Sequence, residues 1–343
     1  MTAHDARDIA LTLLVGGAGA GLASLVGAPA AMLTGPALFV TLACLAGMRG
    51  LIPTPLRDAC FLGLGIGIGA TVTPDVIATA ITWPLSLAVL TLSLLTILTL
   101  ARLLLERMFA FDPMTALLSS VPGHLSYVMG LSSDLKSDLR RVALVQTMRV
   151  LLLTLLVPAI LVASGFEGGV QTTAYGVLPP LPLALVALAS LATGFVFKWL
   201  NIPAAFLLAG MVMSGALHGT ALVTGAPPVW ITTFAFVTMG ALIGTRFNGI
   251  TLQELKDGAL AGIGTTLIAC AIASIGALIT ARILDLPAAM LLIAFAPGGV
   301  EIMAAMAVQI GVEPAFVAAH HVLRLLILTV LVPILLARLR RRL

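Results

Sequence analysis

The sequence predicts an all-α polytopic membrane protein made of two inverted repeats, each with five transmembrane helices and one broken or re-entrant Pro-Gly segment. Three observations predict it: a composition suited to lipid, apolar runs of membrane-crossing length along the whole chain, and landmarks that recur about 175 residues apart.

Of the 343 residues, 60% are hydrophobic and 9% charged, and the mean hydropathy is +1.16. That balance lies outside the range of soluble domains. An α-helix needs about 20 apolar residues to cross a hydrocarbon core of roughly 30 Å, and such runs recur throughout. The connections between them leave no room for a soluble catalytic or DNA-binding domain. The start, MTAHDARDIALTLLV, reads as a retained first span and not as a cleaved signal peptide. Cys44, Cys60 and Cys270 lie singly in apolar segments, without the spacing of a disulfide framework or a metal site. The net charge of +4 sits in short loops and the tail ARLRRRL, where it sets topology.

The repeat is carried by dissimilar landmarks at one shift. GAPAAMLTGP around Pro29 matches NIPAAFLLAG around Pro203 at 174 residues. Gly65 to Gly69 matches Gly240 to Gly244, Pro122-Gly123 matches Pro297-Gly298, Arg149 matches Arg324 and Val157-Pro158 matches Val332-Pro333, all at 175. The first repeat occupies residues 1–170 and the second 171–343. Segments are expected at 9–27, 30–46, 57–72, 81–104, 113–131 and 139–162, and again at 181–199, 202–218, 230–246, 260–282, 288–308 and 314–337.

The fifth segment of each repeat is interrupted, by SVPGHLS in the first and APGGVEI in the second. Pro and Gly there break the helix and release backbone groups that need partners. The positive-inside rule decides how such a segment runs. If all twelve segments cross, Lys136, Arg140, Arg141, Lys198, Arg246 and Lys256 fall on the wrong side. If each fifth segment enters and returns, Arg282 alone does, and both termini are cytoplasmic. Five crossings per repeat is an odd number, so the second repeat is inverted relative to the first. Inverted repeats with interrupted helices are a transporter architecture that places the solute at the midplane. The two tips are expected to meet there.

Arg149 and Arg324 lie near the middle of their spans, where a charged side chain costs at least roughly 2.5–3.5 kcal/mol and faces a cavity, a counter-ion or a helix end. One role is solute binding; the other is to tie down carbonyls freed by the breaks. Glu301 follows the second break and suits a proton or cation site, or an ion pair with Arg324. The first repeat has Ser126 in its place, and His124 stands where the second has Gly299. The substrate-binding candidates are therefore Pro122, Gly123, His124, Ser126, Arg149, Pro297, Gly298, Gly299, Glu301, His321 and Arg324. His320 and His321 cannot point the same way, so they are weak evidence for a metal pair, and Gln146 is the counterpart of His321. GLGIGIGA, from Gly63 to Ala70, lacks a nucleotide-loop pattern and reads as close helix packing.

APGGVEIMA, EPAFVAAHHVLRLL and the duplicated PAA hairpin resemble the AbrB-type bacterial membrane protein family over essentially the whole chain. That resemblance implies an internal duplication and about ten spans. It extends to the wider cation/proton antiporter and anion transporter group, which implies elevator-like movement. Members are often labelled transcriptional regulators or ammonia monooxygenases, but this chain has neither a DNA-binding module nor an oxygenase metal cluster.

The expected function is secondary active transport of a small solute, an organic anion or amino acid, coupled to H⁺ or Na⁺ and without an enzymatic step, cofactor or bound metal. A cation/proton antiporter and a membrane-embedded ligand sensor are the alternatives. The expected partners are the bilayer of the bacterial inner membrane and a small-molecule solute, with a homodimer as the candidate assembly and no nucleic acid.

Overall fold

A computed structural model describes residues 3–72, 83–123, 125–135, 137–163, 165–166 and 176–340. The described residues are helical, apart from turns, loops and one isolated bridge between Val177 and Ala226. In chain order the helices are α1 (Ala3–Leu25), α2 (Ala31–Leu45), α3 (Thr54–Gly69), α4 (Trp83–Met108), α5 (Pro113–Ser120), α6 (Leu125–Asp134) and α7 (Leu139–Ala163). Then follow α8 (Pro180–Trp199), α9 (Ala205–Gly219), α10 (Val229–Thr245), α11 (Leu252–Leu284), α12 (Ala288–Phe295), α13 (Val300–Ile310) and α14 (Pro314–Arg340).

The shift found in the sequence reappears in these boundaries. Both α5 and α12 have 8 residues and start 175 apart, and α7 and α14 also start 175 apart. Each also carries an internal proline near its end, Pro158 or Pro333. The conserved geometry extends to an unfavourable detail. Ala30 and Ala204, which precede α2 and α9, both adopt the left-handed conformation, at φ 50° and 51°. An alanine there costs roughly 1–2 kcal/mol, so the same costly corner is built at the same place in both halves.

Six helices, α1, α4, α7, α8, α11 and α14, are long and apolar enough to cross a bilayer. The chain is thus the helical membrane protein its composition predicts. The other four expected crossings are shorter: α2, α3, α9 and α10 have 15 to 17 residues, or about 22–26 Å of helix. In the other direction, α11 starts eight residues before the expected 260. Thr251 and Glu254 form a capping box that satisfies the first free N–H groups and starts the helix early.

The chain forms two compact units, and each draws on both sequence halves. Unit 1 comprises residues 1–81, 158–249 and 304–315; unit 2 comprises 82–157, 250–303 and 316–343. The repeats are therefore units of sequence, and the compact bodies cut across them.

In unit 1 the helices of one half pair with those of the other, α3 with α9 and α2 with α10. Glycines make the approach close enough. A side chain at Gly65 would run into the Leu207 carbonyl, one at Gly240 into the Leu33 carbonyl and one at Gly244 into Val40. Gly69 abuts Ser214 and Gly215 in the same way. The GLGIGIGA stretch is thus a packing surface, as its small residues predict, because dispersion between backbones must replace the hydrophobic effect that lipid removes.

Unit 2 holds both breaks, with the second interrupted segment belonging to it as far as residue 303. Its largest core cluster joins Leu94 and Leu98 of α4, Leu117 and Leu118 of α5, Val128 of α6 and Val142 of α7 to Leu328, Val332, Leu336 and Leu339 of α14. The broken segment of the first half is thereby packed into one core with the last helix of the second. On the other side α11 lies against α7, with Gly258 under Leu144 and Gly262 under Met148.

Gly65→Ala is expected to destabilise the protein by about 1–3 kcal/mol through overpacking, seen as a lower melting temperature in detergent. Gly17→Ala, where an added Cβ meets nothing, is expected to leave the melting temperature unchanged or slightly raised.

Candidate functional site

Each break forms by the same local physics. Val121 precedes Pro122 and Ala296 precedes Pro297, and a residue before proline is pushed out of the helical region. Both comply, with ψ of 118° at Val121 and 136° at Ala296. The helices α5 and α12 therefore stop there, and their last carbonyls lose the N–H partners that another turn would supply. In an apolar interior such carbonyls need replacement donors.

The arginines supply them. Arg149 and Arg324 are each the eleventh residue of their helices, α7 and α14, and they are 2% and 1% exposed. Arg149 donates from Nη2 to the Val121 carbonyl at 2.8 Å. Arg324 donates from Nη1 to the Ala296 carbonyl at 2.6 Å. Both bonds span 28 residues, so they are one interaction built twice. A guanidinium at a helix C-terminus also meets the negative end of the helix dipole. The carbonyls and the charge, each costly alone in a low dielectric, satisfy one another.

The second donors differ between halves. Arg149 Nη2 also bonds Gln146 Oε1, and Gln146 Nε2 donates to the carbonyls of Leu118 at 3.0 Å and Val121 at 2.8 Å. In the second half the position of Gln146 is taken by His321, whose buried ring lies against the Ala294 backbone without a well-formed hydrogen bond. There Arg324 Nη2 reaches on to the Gly298 carbonyl. In both arginines the Nε–H is buried and unpartnered.

The breaks meet each other. Gly123 has φ +88°, and a Cβ there would lie 2.7 Å from Arg324 Nη2 and 2.8 Å from the Gly298 carbonyl. Glycine is thus required at this position twice, for its conformation and for the space it leaves. Gly123, Gly298 and Arg324 form one cluster inside unit 2. Pro122, Pro297 and Gly299 are buried beside them.

Glu301 departs from one expectation. It lies in the first turn of α13, yet no Glu301–Arg324 ion pair occurs among the described residues. Arg324 is committed to carbonyls, and the carboxylate turns back over Gly299, where a Cβ would lie 3.2 Å from both its oxygens. Its place at a helix N-terminus suits a negative charge. His124 and the side chain of Ser126 lie outside the described residues. Gln146 is the site residue the sequence reading left out, although the 175-residue shift that pairs it with His321 points to it.

Comparison with known proteins gives the following. The family model described as "Transition state regulatory protein AbrB" matches residues 32–340. An Escherichia coli (strain K12) protein named "Putative regulator AbrB" is 28% identical over 306 residues, which cover 87% of this chain and 86% of that protein. A Bacillus subtilis (strain 168) protein named "Uncharacterized protein YhjN" is 28% identical over 292 residues, covering 79% and 75%. No solved structure matches.

Gln146→Leu is expected to strip the Leu118 carbonyl of its amide donor and cost about 1–3 kcal/mol, read as a lower melting temperature. His321→Gln, which places the same amide in the second half, is expected to raise the melting temperature.

Proposed function

We propose that this chain, which belongs to the AbrB family whose model spans residues 32–340, is a secondary active transporter of a small solute, an organic anion or amino acid. In this reading the repeats are inverted, each interrupted segment enters and leaves from one membrane face, and both termini are cytoplasmic. The chain sits in the bacterial inner membrane, with a homodimer as its candidate assembly.

The observation that carries the proposal is the contact of the two interrupted segments at Gly123 and Gly298, beside mid-helix arginines whose Nε–H groups are buried and unpartnered. A soluble-protein account of two buried guanidiniums would give each a carboxylate; here each faces carbonyls and keeps its buried Nε–H unspent. Those donors and the nearby positive charge suit a carboxylate, because a charge-assisted bond to a desolvated anion is among the strongest polar contacts. The start of α13 adds N–H groups and a positive dipole end. All the candidate side chains placed by the structure fall in unit 2 and none in unit 1, a division of labour suited to elevator-like movement, with one body holding the solute. Coupling is assigned to H⁺ or Na⁺.

Two other readings have particular support. Glu301 without an ion pair suits a cation/proton antiporter in which the carboxylate is the ion ligand and the arginines only hold the breaks. The name of the Escherichia coli relative, "Putative regulator AbrB", suits a sensor that binds a ligand without moving it.

Proteoliposomes loaded with ¹⁴C-labelled monocarboxylates, dicarboxylates and amino acids test these readings. Wild-type protein is expected to exchange at least one of them. Arg324→Lys keeps the charge but loses the two-pronged fork, and is expected to reduce exchange by about 10-fold or more. Glu301→Gln is expected to uncouple exchange from the driving ion gradient. Na⁺/H⁺ exchange without organic flux supports the antiporter, and saturable binding without any flux supports the sensor. Wild-type flux in both variants removes these residues from the mechanism.

A further inference from the structure

A buried imidazole lies just outside the arginine clamps. His320 is completely buried on α14, beside His321 and one helical turn before Arg324. Its Nδ1 is 2.9 Å from the Phe316 carbonyl. A carbonyl only accepts, so that nitrogen carries a hydrogen. Its Nε2 is 2.7 Å from Ser86 Oγ on α4, and the same Oγ is 2.7 Å from the Trp83 carbonyl.

Counting hydrogens gives two complete arrangements. In one, the Ser86 hydroxyl donates to Nε2 and the imidazole is neutral. In the other, the hydroxyl turns to the Trp83 carbonyl, and Nε2–H donates to the freed lone pair of Ser86 Oγ. The second form differs by one proton, delivered by water and bonded through the ring lone pair of Nε2; nothing is oxidised or reduced. No heavy atom moves. Three aromatic rings surround the imidazole, with centroids 4.0 Å away for Phe316, 6.1 Å for Trp83 and 6.2 Å for Phe295. Ring faces stabilise a desolvated cation.

We propose that His320 is a proton-binding site whose two states are both fully hydrogen-bonded, with the Ser86 hydroxyl as the two-position switch between them. The charged and titratable groups facing it are His321 and Arg324 on its own helix. The groups contacting it from α4 are Ser86 and Trp83, and from α12 Phe295; no carboxylate pairs with it among the described residues. An anion at the arginines and a proton at His320 favour each other reciprocally. This coupling role, unlike the proton site itself, rests on the transport reading above.

The test reads the proton without any solute. Trp199→Phe with Trp230→Phe leaves Trp83, beside the imidazole, as the one tryptophan of the chain, and an imidazolium quenches an indole in contact with it. Between about pH 8 and about pH 4, the full-length protein in detergent is expected to show a reversible one-proton loss of Trp83 emission. The loss is expected to vanish in His320→Gln and, in Ser86→Ala, to require a roughly tenfold higher proton concentration. In unmutated protein carrying ¹⁵N-histidine, one buried imidazole is expected to convert to imidazolium over the same interval, which keeps the test open if a variant misfolds. Flat emission with neutral buried imidazoles, or quenching that survives His320→Gln, overturns the proton site; a midpoint unmoved by Ser86→Ala overturns the switch. Titration without solute flux retains the proton site and rejects the transport reading.

Discussion

The bond from a mid-helix arginine to the last carbonyls of a broken helix is the interaction on which the candidate site depends. Interrupting a helix inside an apolar protein strands carbonyls that water cannot reach, and placing a guanidinium at the same depth strands a charge. Each defect would be unfavourable alone. Bonded at Arg149–Val121 and Arg324–Ala296, they cancel to the extent that both survive, and the chain can keep irregular backbone in its interior. The proline that ends each half-helix and the arginine that caps it are therefore one device, separated by 27 residues in both copies.

Duplication made the device symmetric, and small substitutions made it unequal. Gln146 completes the first clamp with three hydrogen bonds, whereas His321 in the same position makes no well-formed one. Arg324 instead extends to Gly298, where Gly123 of the other break comes to rest. The second half is thus the less tightly bonded of the two, and it also carries Glu301. A pseudo-symmetric frame with one stiff and one looser break has its chemistry concentrated on the looser side, close to where His320 is held.

Unit 1 solves a different problem with different residues. Its helices cannot rely on expelling water, so they rely on proximity: Gly65, Gly69, Gly240 and Gly244 bring backbones from the two halves together. Unit 2 uses bulky aliphatic residues around α14 instead. Glycine packing in one unit and a leucine-rich core in the other explain why the repeats do not fold as separate bodies. The partner of each short helix in unit 1 is supplied by the other half.

The sequence by itself determined the membrane class, the duplication, the two breaks and the paired arginines, because each follows from composition, spacing or the fixed conformational preferences of proline and glycine. It also left both roles of the arginines open, and three facts lay beyond it. That the guanidiniums bind carbonyls and not Glu301, that Gly123 faces Gly298, and that His320 finds a hydroxyl 234 residues away at Ser86 were decided only by the tertiary structure. The physical reason is that hydrogen-bond choice depends on distances of an ångström between elements remote in the chain, and on which flank of a helix packing turns inward. Adjacent histidines on one helix show this directly: the sequence requires them to diverge, but packing alone selected His320 for the aromatic cage.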